Sequence, residues 1–248
     1  MREELMKNKV AIVSGGSRGL GKEIALGLAS DGYHVVVSYA QSAAEAEVLV
    51  RYITAQGGKA LACKADVAIE SDVDRLFAFT QEKFGQVDVV INTAAISILK
   101  PLSEFNSNEF NRVISTNLTG TFHILQHASK HLSAGGRILT FSSNVVTSLP
   151  ANYAVYAASK AAVEVLSKTL AKELRGREIT VNIVSPGPTA TDMFLEGKSE
   201  DLISQFAQAS PFGRLGTPED ILRVVRFLIG PEAVWINGQV IKINGGAN

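Results

Sequence analysis

The side chains with the clearest chemical potential in this sequence are Tyr156 and Lys160, which lie four residues apart in a predicted helix. That spacing places both side chains on one helix face, a turn apart. A phenol has an unperturbed pKa of about 10, and a fixed ammonium beside it favours the phenolate. We therefore expect Lys160 to lower the pKa of Tyr156 and to make the phenol a usable proton donor and acceptor.

A hydroxyl precedes this pair in the chain, at the end of a predicted strand that finishes Phe141-Ser142-Ser143. We expect Ser143 to hold the substrate oxygen that Tyr156 protonates. A tyrosine four residues before a lysine is common, and alone it indicates only an aromatic ring beside a solvated lysine. The serine strand end and the Gly-rich turn described next make the combination specific.

The first predicted strand runs into a Gly-rich turn that is followed at once by a predicted helix. Its glycines permit a tight turn and let the backbone approach a pyrophosphate, while the helix N-terminus offers free N–H groups. Glycines also serve purely structural turns, but a strand before the turn and a helix after it form the context that a phosphate site requires. The residues expected to bind a dinucleotide here are Gly15, Ser17, Arg18, Gly19, Leu20 and Gly21.

The segment after the second predicted strand indicates which dinucleotide is preferred. Ser38 and Tyr39 occupy the place where an NAD-binding fold carries an acid for the adenosine ribose, and the first carboxylate comes only at Glu45. Arg18 lies in the Gly-rich turn, close to where a ribose 2′-phosphate would sit, and a guanidinium pairs well with phosphate. The sequence therefore predicts NADP(H) in preference to NAD.

Two further segments follow predicted strands and are expected to contact the same cofactor. Asp66 and Val67 follow the third strand, where the carboxylate can accept from an adenine amino group. Asn92 and Ala94 follow the fourth strand, where a small residue lets the chain pass close and the amide can tie neighbouring strands together. Each alone is equally well a cap or turn residue, but ligands of open α/β sheets bind at the carboxyl ends of consecutive strands.

The elements that position these residues alternate along the chain. Strands are predicted over residues 10–14, 34–38, 60–64, 87–91, 136–141, 180–184 and 239–243, and helices over 20–31, 43–56, 70–84, 107–131, 153–174 and 218–228. Strand–helix–strand repetition with largely apolar strands predicts an α/β fold: a Rossmann-type, doubly wound parallel sheet of about seven strands in three α/β/α layers. We expect one domain over residues 1–248, with a substrate-covering segment at about 188–213.

Composition excludes several classes of protein. Lys plus Arg and Asp plus Glu number 24 each, so no global basic field attracts nucleic acid or a membrane surface. No apolar run is long enough to span a bilayer, and the polar residues 1–9 do not resemble a signal peptide. Cys63 is the only cysteine, which excludes an intrachain disulfide and favours the cytoplasm. Three histidines recur every four residues at His123, His127 and His131, but no carboxylate or cysteine completes a metal site, so we expect a helix-surface or interface role and no metal.

Taken together, these motifs resemble the classical short-chain dehydrogenase/reductase family over nearly the whole chain. The family's Asn-Asn-Ala-Gly segment appears here as Asn92-Thr93-Ala94-Ala95, with alanine in place of the last glycine. The resemblance implies a catalytic tetrad of Asn117, Ser143, Tyr156 and Lys160, in which Asn117 distorts its helix and holds a water. It also implies that Pro186, Gly187, Thr189 and Thr191 surround the nicotinamide and diphosphate, that Lys160 contacts the nicotinamide ribose, and that the protein is a homotetramer or homodimer.

The function that follows is NADPH-dependent, reversible reduction of a ketone to a secondary alcohol. Within the family the nearest likeness is to 3-oxoacyl-carrier-protein reductases, and the stretches Leu132–Ile138 and Thr191–Met193 also resemble reductases of hydroxynaphthalenes and other polyketide-derived ketones. The apolar residues of 194–213 favour an apolar or amphipathic substrate, although they equally suit the inner face of a lid helix. A non-catalytic NADP-binding sensor is the alternative from another class, disfavoured by the intact Ser143, Tyr156 and Lys160.

Overall fold

The computed structural model describes residues 8–247, so residues 1–7, which make up most of the polar segment weighed as a signal peptide, lie outside it. Within that range seven parallel strands form one sheet in the order β3-β2-β1-β4-β5-β6-β7. The strands are β1 Val10–Ser14, β2 His34–Tyr39, β3 Lys59–Lys64, β4 Val89–Asn92, β5 Arg137–Phe141, β6 Thr180–Pro186 and β7 Val240–Ile243. The predicted doubly wound α/β sheet is therefore confirmed.

The order of the strands reverses beside β1, which determines where a ligand can bind. β1 pairs with β2 on one side and with β4 on the other, and Ser14 lies in register with both Ser38 and Asn92. Connections leave this point in opposite directions, so a crevice opens beyond the carboxyl ends of the strands. The Gly-rich turn starts at this crevice, because it follows β1 directly.

The helices cover both faces of the sheet. They are α1 Gly19–Ser30, α2 Ala43–Ala55, α3 Glu70–Phe84, α4 Ser107–Ile114, α5 Gly120–His131, α6 Val145–Ser148, α7 Ala154–Glu173, α8 Asp192–Leu195, α9 Glu200–Gln208 and α10 Pro218–Ile229. The strand period of two divides the core: Ala11 and Val13 pack in one cluster with residues of α1, α2 and α10, whereas Ile12 packs in another with residues of α3 and α5. This alternation produces the three predicted layers.

The predicted helix over residues 107–131 is interrupted. A π-helical turn, Ser115–Thr119, separates α4 from α5 and carries the buried Asn117. Segments of π-helix are often found at functional sites because they change the direction of a side chain. The interruption agrees with the helix distortion that the family resemblance implied.

The chain between β6 and α10 contains no strand of the sheet, as expected, but it is not an irregular loop. It forms the short helices α8 and α9, neither of which contributes a buried residue. An isolated bridge between Thr189 and Gly216 joins the two ends of the segment. Among residues 8–247, no helix is both long enough and apolar enough to cross a bilayer.

The expected helix-surface position of the histidines is wrong for two of them. His123 and His127 are buried within the chain: His123 Nδ1 lies 2.9 Å from the Val67 carbonyl oxygen, and His127 packs on Phe77 and stacks on His131. Their burial depends on which elements pack against α5, which periodicity alone does not specify. Trp235, in contrast, is 96% exposed and lies outside the core.

Candidate active site

A cavity of about 1180 Å³ opens at the carboxyl ends of the strands. Its wall contains the predicted site residues Gly15, Ser17, Arg18, Gly19, Leu20, Gly21, Tyr39, Asp66, Val67, Ala94, Ser143, Tyr156, Lys160, Pro186, Gly187, Thr189 and Thr191. Three predicted residues do not reach this wall: Ser38, Asn92 and Asn117. The predicted site residues thus line one continuous cavity, except for those three residues, which lie behind its wall.

The Gly-rich turn packs closely against the chain that follows β4. Gly15 has φ 66°, and a Cβ added there would lie 2.8 Å from the Ala94 Cα. A Cβ on Gly21 would lie 2.6 Å from Thr93 Oγ1, which itself donates to the Ser14 carbonyl oxygen at 2.6 Å. Only glycine fits this approach, because contacts of that length displace backbone.

Helix α1 presents an N-terminus suited to an anion. Its N-cap, Arg18, makes no side-chain capping hydrogen bond, and the first turn of the helix carries no acidic residue. The first amide groups of the helix therefore lack a side-chain partner and lie beside the cavity, where a pyrophosphate would satisfy them. Gly19 lies beside the cavity, where an added Cβ would be in van der Waals contact with Thr191 at 3.9 Å. This donor set at the cavity wall fits a dinucleotide phosphate.

The adenosine end of the cavity is formed by Arg18, Tyr39, Asp66 and Val67. Arg18 is exposed, and Asp66 Oδ1 accepts from the Ala68 N–H at 3.0 Å, which shapes the loop after β3. Ser38 is fully buried below this wall, where its carbonyl oxygen accepts from the Gly16 N–H at 3.1 Å. Ser38 therefore supports the Gly-rich turn from below the cavity wall.

Asn92 and Asn117 are both buried and both hold other parts of the site in place. Asn92 Oδ1 accepts from the Ser14 hydroxyl and its Nδ2 donates to Thr121 Oγ1 at 2.9 Å, so β4 is tied to β1 and α5. Asn117 Nδ2 donates to the Ile96 carbonyl oxygen at 2.9 Å and to Ser159 Oγ at 3.0 Å. Asn117 therefore joins the loop after β4 to the residue that precedes Lys160.

The three reacting side chains lie on neighbouring elements. Ser143 follows β5, whereas Tyr156 and Lys160 lie in the first turns of α7. Lys160 is 4% exposed, its Nζ donates to the Phe141 carbonyl oxygen at 2.8 Å, and it lies 5.8 Å from the centroid of the Tyr156 ring. The lysine thus joins α7 to the end of β5, two residues before Ser143.

The pKa of Tyr156 departs from the sequence-based expectation in direction. Burial raises the pKa of Tyr156 to about 12, and a hydrogen bond with Ser143 opposes this rise. Burial also lowers the pKa of Lys160 to about 8, because the ammonium has left water. The expectation that Lys160 lowers the tyrosine pKa is therefore wrong for this structure, in which desolvation is the larger effect. The phenol consequently stays protonated at neutral pH, as a proton donor must.

The loop after β6 forms the cavity wall opposite the Gly-rich turn. Thr189 is buried and its hydroxyl donates to the Gly187 carbonyl oxygen at 2.9 Å. Thr191 caps α8, accepting from the Phe194 N–H, and its side chain faces Gly19. Pro186 ends β6 in register with Ile243 of β7, so the start of this loop is held by the sheet.

The covering segment supplies an aromatic wall. Phe194 and Phe206 meet edge to face with ring centroids 5.2 Å apart, which fastens α8 to α9. Lys198 Nζ lies 4.7 Å from the Phe194 centroid, and all three side chains line the cavity. Tyr153 lines the cavity from the start of α7. Tyr153 was missed from the sequence, although its place one helical turn before Tyr156 was a usable signal.

No group of three or more His, Cys, Asp or Glu side chains suited to a metal ion occurs within residues 8–247. The polar groups on the cavity wall are hydroxyls, backbone amides, separate charged side chains, and side-chain amides that include those of Asn108, Asn111 and Asn144. Such a set can hold a dinucleotide and donate hydrogen bonds to a carbonyl oxygen.

Comparison with known proteins agrees with this fold. A family model described as Enoyl-(Acyl carrier protein) reductase matches residues 15–248. NADPH-dependent aldehyde reductase 2, chloroplastic, of Arabidopsis thaliana is 42% identical, with 97% of this chain and 94% of that protein covered. Hydroxynaphthalene reductase-like protein Arp2 of Metarhizium majus is 39% identical, with coverage of 98% and 96%. A short chain dehydrogenase from Burkholderia cenocepacia, solved in complex with NADP, superimposes with a TM-score of 0.92 at 37% identity and covers 98% of this chain and 99% of its own.

These likenesses extend over almost the entire length of both partners. The chain therefore belongs to the short-chain dehydrogenase/reductase family. It is an oxidoreductase of that family, and the resemblance drawn from its motifs is confirmed.

Proposed function

We propose that this protein reduces a ketone to a secondary alcohol with a hydride from NADPH, and that the reaction is reversible. The observation that carries the proposal is that Ser143, Tyr156 and Lys160 all line the cavity, with Lys160 Nζ 5.8 Å from the centroid of the Tyr156 ring. Tyrosine and serine hydroxyls that face the same cavity can act as a pair of donors for one carbonyl oxygen.

NADP(H) is the cofactor. The Gly-rich turn and the N-terminus of α1 bind its pyrophosphate, Asp66 and Val67 contact the adenine, and Arg18 and Tyr39 face the 2′-phosphate. Support comes from the uncapped N-terminus of α1, from the absence of a carboxylate between Ser38 and Ser42, and from the relatives named as NADPH-dependent or solved with NADP. Ser38 and Asn92 act behind this surface, through the turn and through β1.

Each side chain of the tetrad has a separate task in the reaction. NADPH, when bound, supplies the hydride that forms the new C–H bond at the carbonyl carbon. Ser143 and Tyr156 hydrogen-bond the carbonyl oxygen, where negative charge develops, and the Tyr156 hydroxyl transfers its proton to that oxygen. Lys160 holds the ribose and returns a proton to the phenolate from solvent, with Asn117 anchoring Ser159 beside it. Pro186, Gly187, Thr189 and Thr191 bound the nicotinamide side.

Two ketone classes suit the covering segment. Thioesters of 3-oxoacyl groups fit the general likeness to carrier-protein reductases. Aromatic, polyketide-derived ketones are the second candidate, favoured by the Phe194–Phe206 pair on the cavity wall and by the hydroxynaphthalene reductase-like relative. In both cases residues 188–213 cover the substrate, as one part of a single domain spanning residues 1–248.

The protein assembles as a homotetramer and acts in the cytoplasm. Exposed apolar side chains support the assembly on both faces of the sheet: Phe227 on α10 and the nearby Trp235 on one side, Phe122 on α5 and Val165 on α7 on the other. A homodimer would bury only one of these faces. Light scattering of the wild type and of Trp235→Asp measures the assembly, and a monomeric wild type would contradict it. The single cysteine supports a reducing compartment.

The test is NADPH oxidation, followed by absorbance, against a panel of acetoacetyl thioesters, aryl ketones, quinones and sugars. Turnover of at least one ketone by the wild type and none by Tyr156→Phe supports the proposal. NADPH binding without oxidation of NADPH by any member of the panel would contradict it and favour the sensor. The ratio of kcat/KM for an acetoacetyl thioester and for 1-tetralone then separates the two substrate classes.

A further inference from the structure

The residue after the catalytic serine is held by the C-terminal end of the chain. Asn144 is buried, its Nδ2 donates to the Ala247 carbonyl oxygen at 3.0 Å, and its Oδ1 accepts from Asn244 Nδ2 at 3.3 Å. Residues 244–247 form a turn closed by the hydrogen bond from the Ala247 N–H to the Asn244 carbonyl oxygen. Asn144 is therefore connected to a segment about a hundred residues away in the chain.

Hydrogen bonds hold the backbone on both sides of Ser143, so the position of Asn144 determines the position of the Ser143 main chain. The Ser142 N–H donates to the Val184 carbonyl oxygen at 2.8 Å, and the Asn144 N–H donates to the Pro186 carbonyl oxygen at 3.0 Å. Ser142 Oγ also donates to Glu164 Oε1 at 2.6 Å. A shift of Asn144 must move the Ser143 main chain, because the other side of that residue is held by β6 and α7.

The same turn holds the end of the covering segment. Ser210 Oγ donates to the Gly245 carbonyl oxygen at 2.9 Å and accepts from the Phe212 N–H at 3.2 Å. Gly245 has φ 58°, and a Cβ there would lie 2.9 Å from Ser210 Oγ. Ser210 of the covering segment therefore contacts the backbone of the turn at Gly245.

The turn also meets the loop that begins at Pro186. The Gly187 N–H donates to the Ile243 carbonyl oxygen at 2.9 Å, and a Cβ on Gly187 would lie 2.7 Å from the Asn244 Cα. A second cavity of about 300 Å³ lies behind this contact, lined by Ser210, Phe212, Asn244, Gly245 and Ala247 among others. The covering segment is thus attached to the turn by the hydrogen bond from Ser210 to Gly245 and by Pro211 and Phe212, which pack close to Gly246 and Gly245 beside this cavity.

From these contacts we propose that residues 244–247 form a latch that couples the position of the covering segment to the geometry of Ser143, with Asn144 as the positioning residue. When Ser210 leaves Gly245, the turn is released, Asn144 loses its two partners, and the Ser143 hydroxyl is no longer fixed beside Tyr156. The cavity is therefore fully set for reaction only while the segment is docked. The inference rests on the proposed function, because it assigns Ser143 a hydrogen bond to the reacting oxygen.

A double-mutant cycle tests the coupling in the full-length protein. We expect Asn144→Ala to lower kcat about tenfold, because small displacements of a hydrogen-bonding group cost one to two orders of magnitude in rate. Ser210→Ala lowers kcat about threefold, and the double variant is no slower than Asn144→Ala alone, since both changes open the same latch. NADPH Kd stays within about twofold in all three variants. Effects on kcat that multiply would overturn the coupling.

Asn182 provides a matched control for the loss of a buried asparagine. It is fully buried on β6, its Nδ2 donates to the Ile236 carbonyl oxygen at 2.6 Å, its Oδ1 accepts from the Gln239 N–H at 3.0 Å, and it is absent from the cavity wall. Asn182→Ala is expected to lower Tm as much as Asn144→Ala while kcat is retained. An equal loss of kcat in both variants contradicts a positioning role.

A second readout does not depend on turnover. In the NADP⁺-bound protein, amide hydrogen exchange of residues 199–213 is expected to accelerate in Asn144→Ala and to stay at the wild-type rate in Asn182→Ala. Unchanged exchange in Asn144→Ala rejects the latch. If Asn144→Ala does not fold, Asn244→Ala removes one of the two hydrogen bonds of Asn144, the one to its Oδ1, and both measurements are made on that variant. A wild type that reduces no ketone defeats the proposed function, whereas an active wild type with independent effects defeats only the latch.

Discussion

The two walls of the active-site cavity are held in different ways. On the catalytic wall Lys160 is 4% exposed, and Asn117 behind it is fully buried. On the covering wall α8 and α9 contribute no buried residue, and Met193 is 42% exposed. Groups that move protons are fixed by the core, because small errors in their position are costly in rate. Groups that meet the substrate lie on a segment outside the core, where sequence can change at little cost to the fold.

The largest expected effect falls on the catalytic wall. Tyr156→Phe removes the proton donor and leaves the ring in place, so kcat should fall by a factor on the order of 1000. NADPH Kd, measured by fluorescence titration, should stay close to the wild-type value. Tyr153→Phe is the matched control, since Tyr153 lines the same cavity one helical turn earlier, and it should retain most activity. Retention of turnover by Tyr156→Phe would remove the tyrosine from the mechanism.

The next effect concerns the adenosine end. Arg18→Ala should lower kcat/KM with NADPH about thirtyfold and leave kcat/KM with NADH unchanged, because only NADPH carries the 2′-phosphate. Lys22→Ala is the control, since Lys22 is an exposed cation one turn further along α1 and is absent from the cavity wall. Equal losses with both cofactors, or an equal loss in Lys22→Ala, would show a general charge effect in place of a phosphate contact.

A smaller effect is expected on the covering wall. Phe206→Ala removes the edge-to-face partner of Phe194, so KM for 1-tetralone should rise about fivefold while kcat changes little. KM for a small ketone such as ethyl acetoacetate should be nearly unaffected, because such a substrate does not reach the Phe194–Phe206 pair. Phe84→Ala, which removes the ring partner of His34 and lies outside the cavity wall, serves as the control. A fall of kcat with unchanged KM would show that Phe206 acts in the chemical step, as residues of the catalytic wall do, and not in substrate binding.

The smallest effect is on stability and has a definite sign. Burial lowers the pKa of Lys160 from its ordinary value of 10.5 to about 8, so the folded state releases a proton that the unfolded state still binds between these values. Stability should therefore rise with pH across this window, since the unfolded state binds more protons there. Lys160→Met removes the buried charge and should raise Tm at pH 7 by about 3 °C. That gain should shrink between pH 8 and pH 10.5. A gain independent of pH would show that Lys160 is not desolvated in the folded protein.

Much of the site was predictable because its signals are local. The spacing of Tyr156 and Lys160 is a property of one helix, and the Gly-rich turn is a property of one strand–helix junction. The period of two in the strands and the alternation with helices likewise predicted the parallel sheet. Element ends were predicted less well: β2 continues to Tyr39, one residue further than expected, which leaves Ser38 below the cavity wall.

The amino-acid sequence by itself determined the family and the order of elements and predicted which side chains react, because these follow from patterns within one element or one junction. Only the tertiary structure decided the direction of the Tyr156 pKa shift, the anchoring of Asn117 on Ile96 and Ser159, and the attachment of Asn144 to the C-terminal turn. Desolvation depends on everything that packs around a group, and hydrogen bonds between distant segments depend on how the layers meet. Neither quantity is encoded in the spacing of residues along the chain.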